Sequence, residues 1–421
     1  MIADNRGPIY PDQTSEPEVV KDRPTDENGD PSFVGQAGSV FYGRDADETF
    51  RALSQPFDST GKRVSKDLTP FLIPDYPATL RFDSGKAGPE LILSAGLHGN
   101  EYQPITALLA ISRALVDDPS RLKRGSLILT LGNLAALEEG KRFIPPGIAL
   151  EHTLGDELGG AVRHGVENVL KKTAPSLLNP ESRDLNRLFG PGAPEGDSRL
   201  LQDRDRLRKL IEGSYPGAPT DGRDRYYRDF HTMSKAGEPV VLCETNDWKD
   251  ALTLGISKVV YGVEKAIDTG SMSFATKVER MRSALVLEAG KHDLASSAIA
   301  PLIATYNTLR KLDMDGGFPP LEEVLQSIGL TSLSKNEVPE QELYSMEGII
   351  VKKCDTMEFV REFKNFDFIK AGELVAREKG REVRAPYDAY ILMPTPPEIQ
   401  NIGDEVMFLL KKMPIPQEYS R

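Results

Sequence analysis

Apolar and polar positions along the chain follow two rhythms. Unbroken apolar runs such as Leu91-Ile92-Leu93-Ser94-Ala95-Gly96, Ser126-Leu127-Ile128-Leu129-Thr130-Leu131 and Ser283-Ala284-Leu285-Val286-Leu287 have the length of buried strands. Pro239-Val240-Val241-Leu242-Cys243 reads the same way, and Tyr226 to Thr232 reads as a strand with alternating faces. Between these runs, apolar residues recur at helical spacing around Asp47 to Leu53, from Pro104 to about Val116, near Leu200 to Ile211, and over Ala298 to Leu312. Such alternation predicts an α/β sheet covered by helices on both faces. The charged run Gln202-Asp203-Arg204-Asp205-Arg206 is most simply the wet side of its helix.

The pattern changes at both ends. Residues 1–35 are rich in Asp, Glu, Pro and Gly with few apolar anchors, the composition of a disordered acidic arm. After Gly316-Gly317-Phe318-Pro319-Pro320 come short extended runs, Gly348 to Lys352 and Ala389 to Met393, separated by Gly and Pro turns. They read as a small all-β domain over 340–415, which leaves 36–320 as the catalytic domain.

Candidate chemistry begins where the first strong strand ends. Leu97-His98-Gly99-Asn100-Glu101 carries His and Glu three residues apart at the passage from strand to helix. Zinc takes imidazole nitrogen and carboxylate oxygen, and a catalytic site uses three protein ligands with a fourth position open. The carboxyl end of the strands is also where open α/β sheets bind ligands. A polar turn whose His and Glu cap the helix would look the same, so the motif alone leaves both readings open. A third ligand must come from His152, His164, His231 or His292. His231 stands out because strand alternation puts Tyr227, Asp229 and His231 on one face, where Asp229 could orient the imidazole. His152 and His164 fall in a segment of weak pattern, and His292 is placed to line the site without binding metal. A general base is also required, and Glu288, ending an apolar run just before Gly290, is the choice. Pairing of Glu288 with Lys291 for structural reasons fits the spacing equally well.

Five ordered segments carry a resemblance. His98-Gly99-Asn100-Glu101 is followed by Gly132-Asn133 with Gly140-Lys141-Arg142-Phe143, then by Arg183-Asp184-Leu185-Asn186-Arg187-Leu188-Phe189. Asp229-Phe230-His231-Thr232 and Leu287-Glu288-Ala289-Gly290-Lys291 complete the series, which spans roughly 90 to 292. The chain thus resembles the succinylglutamate desuccinylase and aspartoacylase family of zinc amidohydrolases, relatives of the zinc carboxypeptidases. The resemblance implies a mixed sheet flanked by helices of the zinc carboxypeptidase kind, with a C-terminal all-β domain. It implies one zinc per subunit on His98, Glu101 and His231, with Glu288 as general base and then acid. Arg142 resembles the family's carbonyl-polarising arginine, Asn186 and Arg187 the pair that holds the substrate's carboxylate, and Asp184 a brace for a zinc ligand. Arginine suits such work because its planar fork binds carboxylate bidentately and stays charged.

One departure is plain. In similar proteins the GKRF-type segment runs almost directly into DLNR, whereas here 144–182 intervene, a long insertion that fits a lid or a bland surface excursion alike. Ala385-Pro386-Tyr387-Asp388-Ala389-Tyr390-Ile391 resembles the family's C-terminal domain and, loosely, biotin or lipoate carriers, but no lysine sits in the hairpin a carrier would need.

Composition narrows the partners. With 52 basic against 64 acidic residues and a net charge of -12, the chain is not a general nucleic-acid binder. It has no apolar stretch of membrane-spanning length and no signal core at Met1 to Pro8. The cysteines, Cys243 and Cys354, are read as lying in separate strands, and such sparse usage suits a reducing cytoplasm. The expectation is a cytoplasmic enzyme, compatible with a homo-oligomer, that acts on a small acyl amino acid, with N-succinylglutamate leading and N-acetylaspartate-like molecules behind it. The alternatives are a zinc carboxypeptidase acting on peptides and a non-catalytic relative that binds an acidic metabolite.

Overall fold

A computed structural model describes residues 41–58, 62–140, 184–234, 237–267, 269–330, 340–400 and 402–419. The expected N-terminal arm, the insertion at 144–182, Arg142, His152, His164 and Arg183 lie outside the described residues. The first strands are β1 (Thr79–Asp83), β2 (Glu90–Ala95), β3 (Ser126–Leu131) and β4 (Arg225–Met233). They are followed by β5 (Val240–Cys243), β6 (Lys258–Tyr261), β7 (Met281–Lys291) and β8 (Glu342–Val351). Six more run to the end: β9 (Glu358–Phe359), β10 (Phe368–Ile369), β11 (Leu374–Glu378), β12 (Arg381–Arg384), β13 (Ala389–Leu392) and β14 (Glu405–Met413).

Among the described residues, eleven strands form one mixed sheet in the order β1-β3-β2-β4-β7-β5-β6-β8-β14-β13-β10, and β12-β11-β9 form a small separate one. β2, β3, β4 and β7 run parallel, while β1 is antiparallel to β3 and β5 is antiparallel to β7 but parallel to β6. From β2 the chain crosses to β3 on one side and later returns to β4 on the other. The carboxyl ends of β2 and β4 therefore lie at a reversal of strand order, the place where α/β sheets hold ligands.

Both faces of the sheet are covered because its central strands are apolar on both sides. On one face Leu91, Leu93, Leu129, Phe230, Leu285 and Leu287 pack against the helices Gln103–Asp117 and Ile299–Lys311. On the other, Ile92, Ile128, Tyr227, Ala284 and Val286 pack against Leu210 and Ile211 of the helix Arg199–Glu212 and Met272 of the helix Ser271–Ala275. The helix expected around Asp47 to Leu53 spans Ala46–Leu53 and joins the first layer.

Two expectations need correction. Asp203, Arg204 and Arg206 are buried rather than wet. Arg206 donates to Thr130 Oγ1 at 2.8 Å and to the carbonyls of Leu131 and Gly132 at 2.6 and 2.8 Å, while Asp203 accepts from the Leu134 amide at 2.9 Å. The pair thus satisfies the backbone where β3 ends, a buried task that helix polarity does not reveal. Cys354 lies in a bend after β8, not in a strand, although both cysteines are free and buried.

Candidate metal centre

The loop after β2 begins with a turn that glycine permits. Gly96 has φ of +71°, and a Cβ there would meet the side chains of Ile105 and Leu137 at 3.1 Å. This turn carries the chain from β2 into His98 and Glu101. Both residues are buried, as is His231 at the end of β4. One ligand atom from each lies within 4.8 Å of the others.

Glu101 is the hub of the group. Its Oε1 is 2.7 Å from His98 Nδ1 and its Oε2 is 3.0 Å from His231 Nδ1. The Thr232 amide also donates to Oε2, at 3.2 Å. Each imidazole is gripped from behind as well: His98 Nε2 is 3.1 Å from Asp184 Oδ1, and His231 Nε2 is 3.0 Å from Asp229 Oδ2. Both Nδ1 atoms therefore face one carboxylate, with the rings held by others. Asp229 is itself fixed, since its Oδ1 lies 2.7 Å from Ser94 Oγ and its Oδ2 accepts from Ser271 Oγ at 2.6 Å.

Charge follows this geometry. Burial alone would raise the Glu101 carboxyl, but the two imidazoles outweigh it and hold the group well below the usual carboxylate range. Burial would likewise lower His231, but Asp229 and Glu101 hold it well above its ordinary value. Three buried side chains that bring two imidazole nitrogens and a carboxylate together suit a cation. Two imidazole nitrogens and a carboxylate fit zinc, whereas magnesium and calcium favour all-oxygen cages. Rings with the second nitrogen on a carboxylate are also the usual state of metal-bound histidine. The residues present fit the group.

Glu288 on β7 stands in register with His231 on β4, which puts it on the same face one strand away. It is partly exposed, whereas His231 is buried. Lys291 pairs with Asp293 at 2.9 Å. Asp184 caps the short turn Leu185–Arg187 by accepting from the Asn186 amide at 2.9 Å, so the oxygen that contacts His98 also positions the next residues. Asn186 Oδ1 accepts from the Ser271 amide at 3.0 Å. Arg187 donates to Glu405 of β14 at 3.4 Å. His292 contacts Thr232 Oγ1 at 2.7 Å and Ser234 Oγ at 3.2 Å and is not part of the cluster of His98, Glu101 and His231.

Ser94, Thr232, Ser271 and Glu405 were not singled out in the sequence. Ser94 had a readable signal, a lone hydroxyl in an apolar strand whose register partner is Asp229. Ser271 and Glu405 had none, because they reach the site from distant elements.

Comparison with known proteins identifies the family and the fold. The sequence profile of the succinylglutamate desuccinylase/aspartoacylase catalytic domain matches residues 87–305, just over half of the chain. The chain is 23% identical over 314 residues to a succinylglutamate desuccinylase of Shewanella putrefaciens, covering 72% of this chain and 76% of that protein. It is 38% identical over 170 residues to one from Pseudomonas putida, covering 39% and 45%. The solved succinylglutamate desuccinylase from Vibrio cholerae superposes with a TM-score of 0.56 at 14% identity, covering 80% of this chain and 86% of that one. The one from Chromobacterium violaceum gives 0.51 at 17% identity, covering 81% and 90%. At these identities the two structures show the same mixed α/β fold. The chain belongs to the succinylglutamate desuccinylase/aspartoacylase family of hydrolases.

Proposed function

We propose that this protein is a zinc-dependent amidohydrolase that cleaves the amide of an N-acylated acidic amino acid, with N-succinylglutamate giving succinate and glutamate as the leading reaction. The observation that carries the reading is the convergence of His98, Glu101 and His231, with Glu288 in register beside the last of them. His98 and His231 would hold one zinc per subunit through the nitrogens that face Glu101, with Glu101 as the third ligand. Bound there, zinc supplies a Lewis acid and lowers the pKa of water to roughly 7.

The remaining work falls to the chain's own side chains. Glu288 takes a proton from the attacking water and returns it to the departing amine nitrogen. Asn186 and Arg187 hold the substrate's carboxylate, with Arg187 offering the planar fork that such a group fits. Asp184 and Asp229 fix the two imidazoles so that the donor set is preorganised. Arg142, which lies outside the described residues, is assigned to the scissile carbonyl by its place in the family motif. Among the described residues no helix is long and apolar enough to cross a membrane. The two free, buried cysteines support a cytoplasmic setting.

The test joins metal analysis to amine release from N-succinylglutamate, N-acetylaspartate and peptides with free carboxyl ends, with and without a chelator. One equivalent of zinc and chelator-sensitive release from the acyl amino acids are expected. Zinc with activity on peptides alone would move the protein to the carboxypeptidases, and a metal-free protein that binds these ligands without turnover would make it a binding relative.

A further inference from the structure

The contact between Arg187 and Glu405 stands out because it places a protein carboxylate on the guanidinium assigned to a substrate carboxylate. Arg187 Nη2 lies 3.4 Å from Glu405 Oε1. Its Nη1 donates to the Asn186 carbonyl at 3.2 Å and lies 4.0 Å from Asp184 Oδ2. The fork is therefore already engaged on two edges. Asp184 cannot be the adjustable partner, since its other oxygen contacts His98 and caps Asn186. Glu405 has neither duty: it is the first residue of β14, and its backbone is fixed independently of its side chain by pairing with Val351 and by a Gln400 amide donated to its carbonyl at 3.2 Å. Both side chains of the pair remain about a third exposed, at 39% for Arg187 and 33% for Glu405, so an incoming anion can reach them.

We propose that Glu405 determines specificity by competing with the substrate's carboxylate for Arg187. The proposal rests on the reading of Arg187 given above. A carboxylate that binds the guanidinium bidentately needs the Nη2 edge that Glu405 occupies, so it must displace Glu405 or sit beside a like charge. Glu405 thus weakens binding of carboxylates in general and favours those ligands whose remaining contacts in the pocket make good the loss. It acts through Arg187, as a positioning residue on the C-terminal strand. Its removal has an unusual signature, because losing a merely structural ion pair weakens or leaves binding unchanged, whereas losing a competitor tightens it.

The experiment measures calorimetric affinities on the full-length, zinc-loaded protein, with Glu288→Gln present throughout to stop turnover. The probes are N-succinylglutamate, N-acetylaspartate and the α-carboxamide of each, and the proteins are the parent, Glu405→Gln, Arg187→Met and the double variant. Glu405→Gln is expected to bind the carboxylate probes about fivefold more tightly, the factor that a partly exposed ion pair near the upper end of its range is worth. The carboxamides should gain less, and the gain should vanish in the Arg187→Met background. If no probe binds Glu405→Gln more tightly than the parent, the proposal is overturned. If Arg187→Met alone leaves every affinity unchanged, the substrate-binding reading of Arg187 fails, and this inference fails with it. A loss with Arg187→Met but no gain with Glu405→Gln sinks the competition alone.

Discussion

Ser94 and Asp229 stand in register on the adjacent parallel strands β2 and β4, and their side chains meet at 2.7 Å. The contact fixes the carboxylate that grips His231 Nε2, so the orientation of a candidate ligand depends on a hydroxyl one strand away. Carboxylates that hold metal-bound histidines commonly set affinity by 10- to 100-fold. Asp229→Asn should therefore weaken zinc binding by about 10- to 100-fold in competition with a chelator of known affinity, with fold retained by circular dichroism. Unchanged affinity would remove Asp229 from the centre.

Glu288 is proposed to carry the proton and not to bind the metal, which makes its variant diagnostic. Glu288→Gln keeps the shape and loses the proton acceptor, so turnover should fall by at least about 100-fold, in line with general acid–base catalysis. Zinc content should stay at one equivalent. Loss of zinc together with activity would show instead that Glu288 supports the ligand set.

A stability prediction arises at the opposite end of β2. Glu90 is buried and accepts from Arg225 Nε at 2.9 Å and Nη2 at 2.6 Å, from Tyr215 and from Ser126 Oγ at 3.0 Å. Arg225 also donates to the carbonyls of Leu210 and Ile211, closing the end of the helix Arg199–Glu212. Glu90→Ala strands a buried guanidinium and should cost about 3–5 kcal/mol. Urea unfolding would show it as a lower midpoint with an unchanged slope, and zinc stoichiometry should not move. A midpoint equal to that of the parent would show the network to be worth nothing net.

The pH dependence of stability offers a check away from the metal. Burial and the Arg228 guanidinium draw Lys311 down to about 8, against the opposing pull of Asp247 and despite its ion pair with Asp250. In the unfolded chain the same group titrates near 10.5. Between these values the unfolded state binds more protons, so this group's contribution to stability rises with pH from about 8 to about 10.5 and is flat below. Lys311→Met should remove that rise in urea midpoints measured at about pH 7, 9 and 10. A variant whose pH profile parallels the parent's would show Lys311 to be ordinary.

Much of this was legible because strand ends concentrate local signals. His98, Glu101 and His231 were readable since each closes an apolar or alternating run at the sheet's carboxyl edge, where ligands gather. Asp229 was readable because strand alternation puts residues i and i+2 on one face. Arg206 misled because a charge on a helix reads as solvated unless one knows which carbonyls lie beneath it. Ser271 and Glu405 were invisible for a related reason, since their partners are set by tertiary packing across many residues. The helices Gln103–Asp117 and Ile299–Lys311 were found within a residue or two, because apolar spacing sustained over three turns leaves little freedom in where a helix can lie.

The hydrogen-bonded ladder that runs from β6 into β8 and on through β14 and β13 joins the C-terminal strands to the catalytic sheet. A chain cut near residue 340 would leave β6, with its buried Val259 and Val260, as an unpaired rim offering amides and carbonyls to any passing strand. The last eighty or so residues therefore serve the rest as a hem does cloth, and a shortened chain should be lost to self-association before it is lost to failed chemistry.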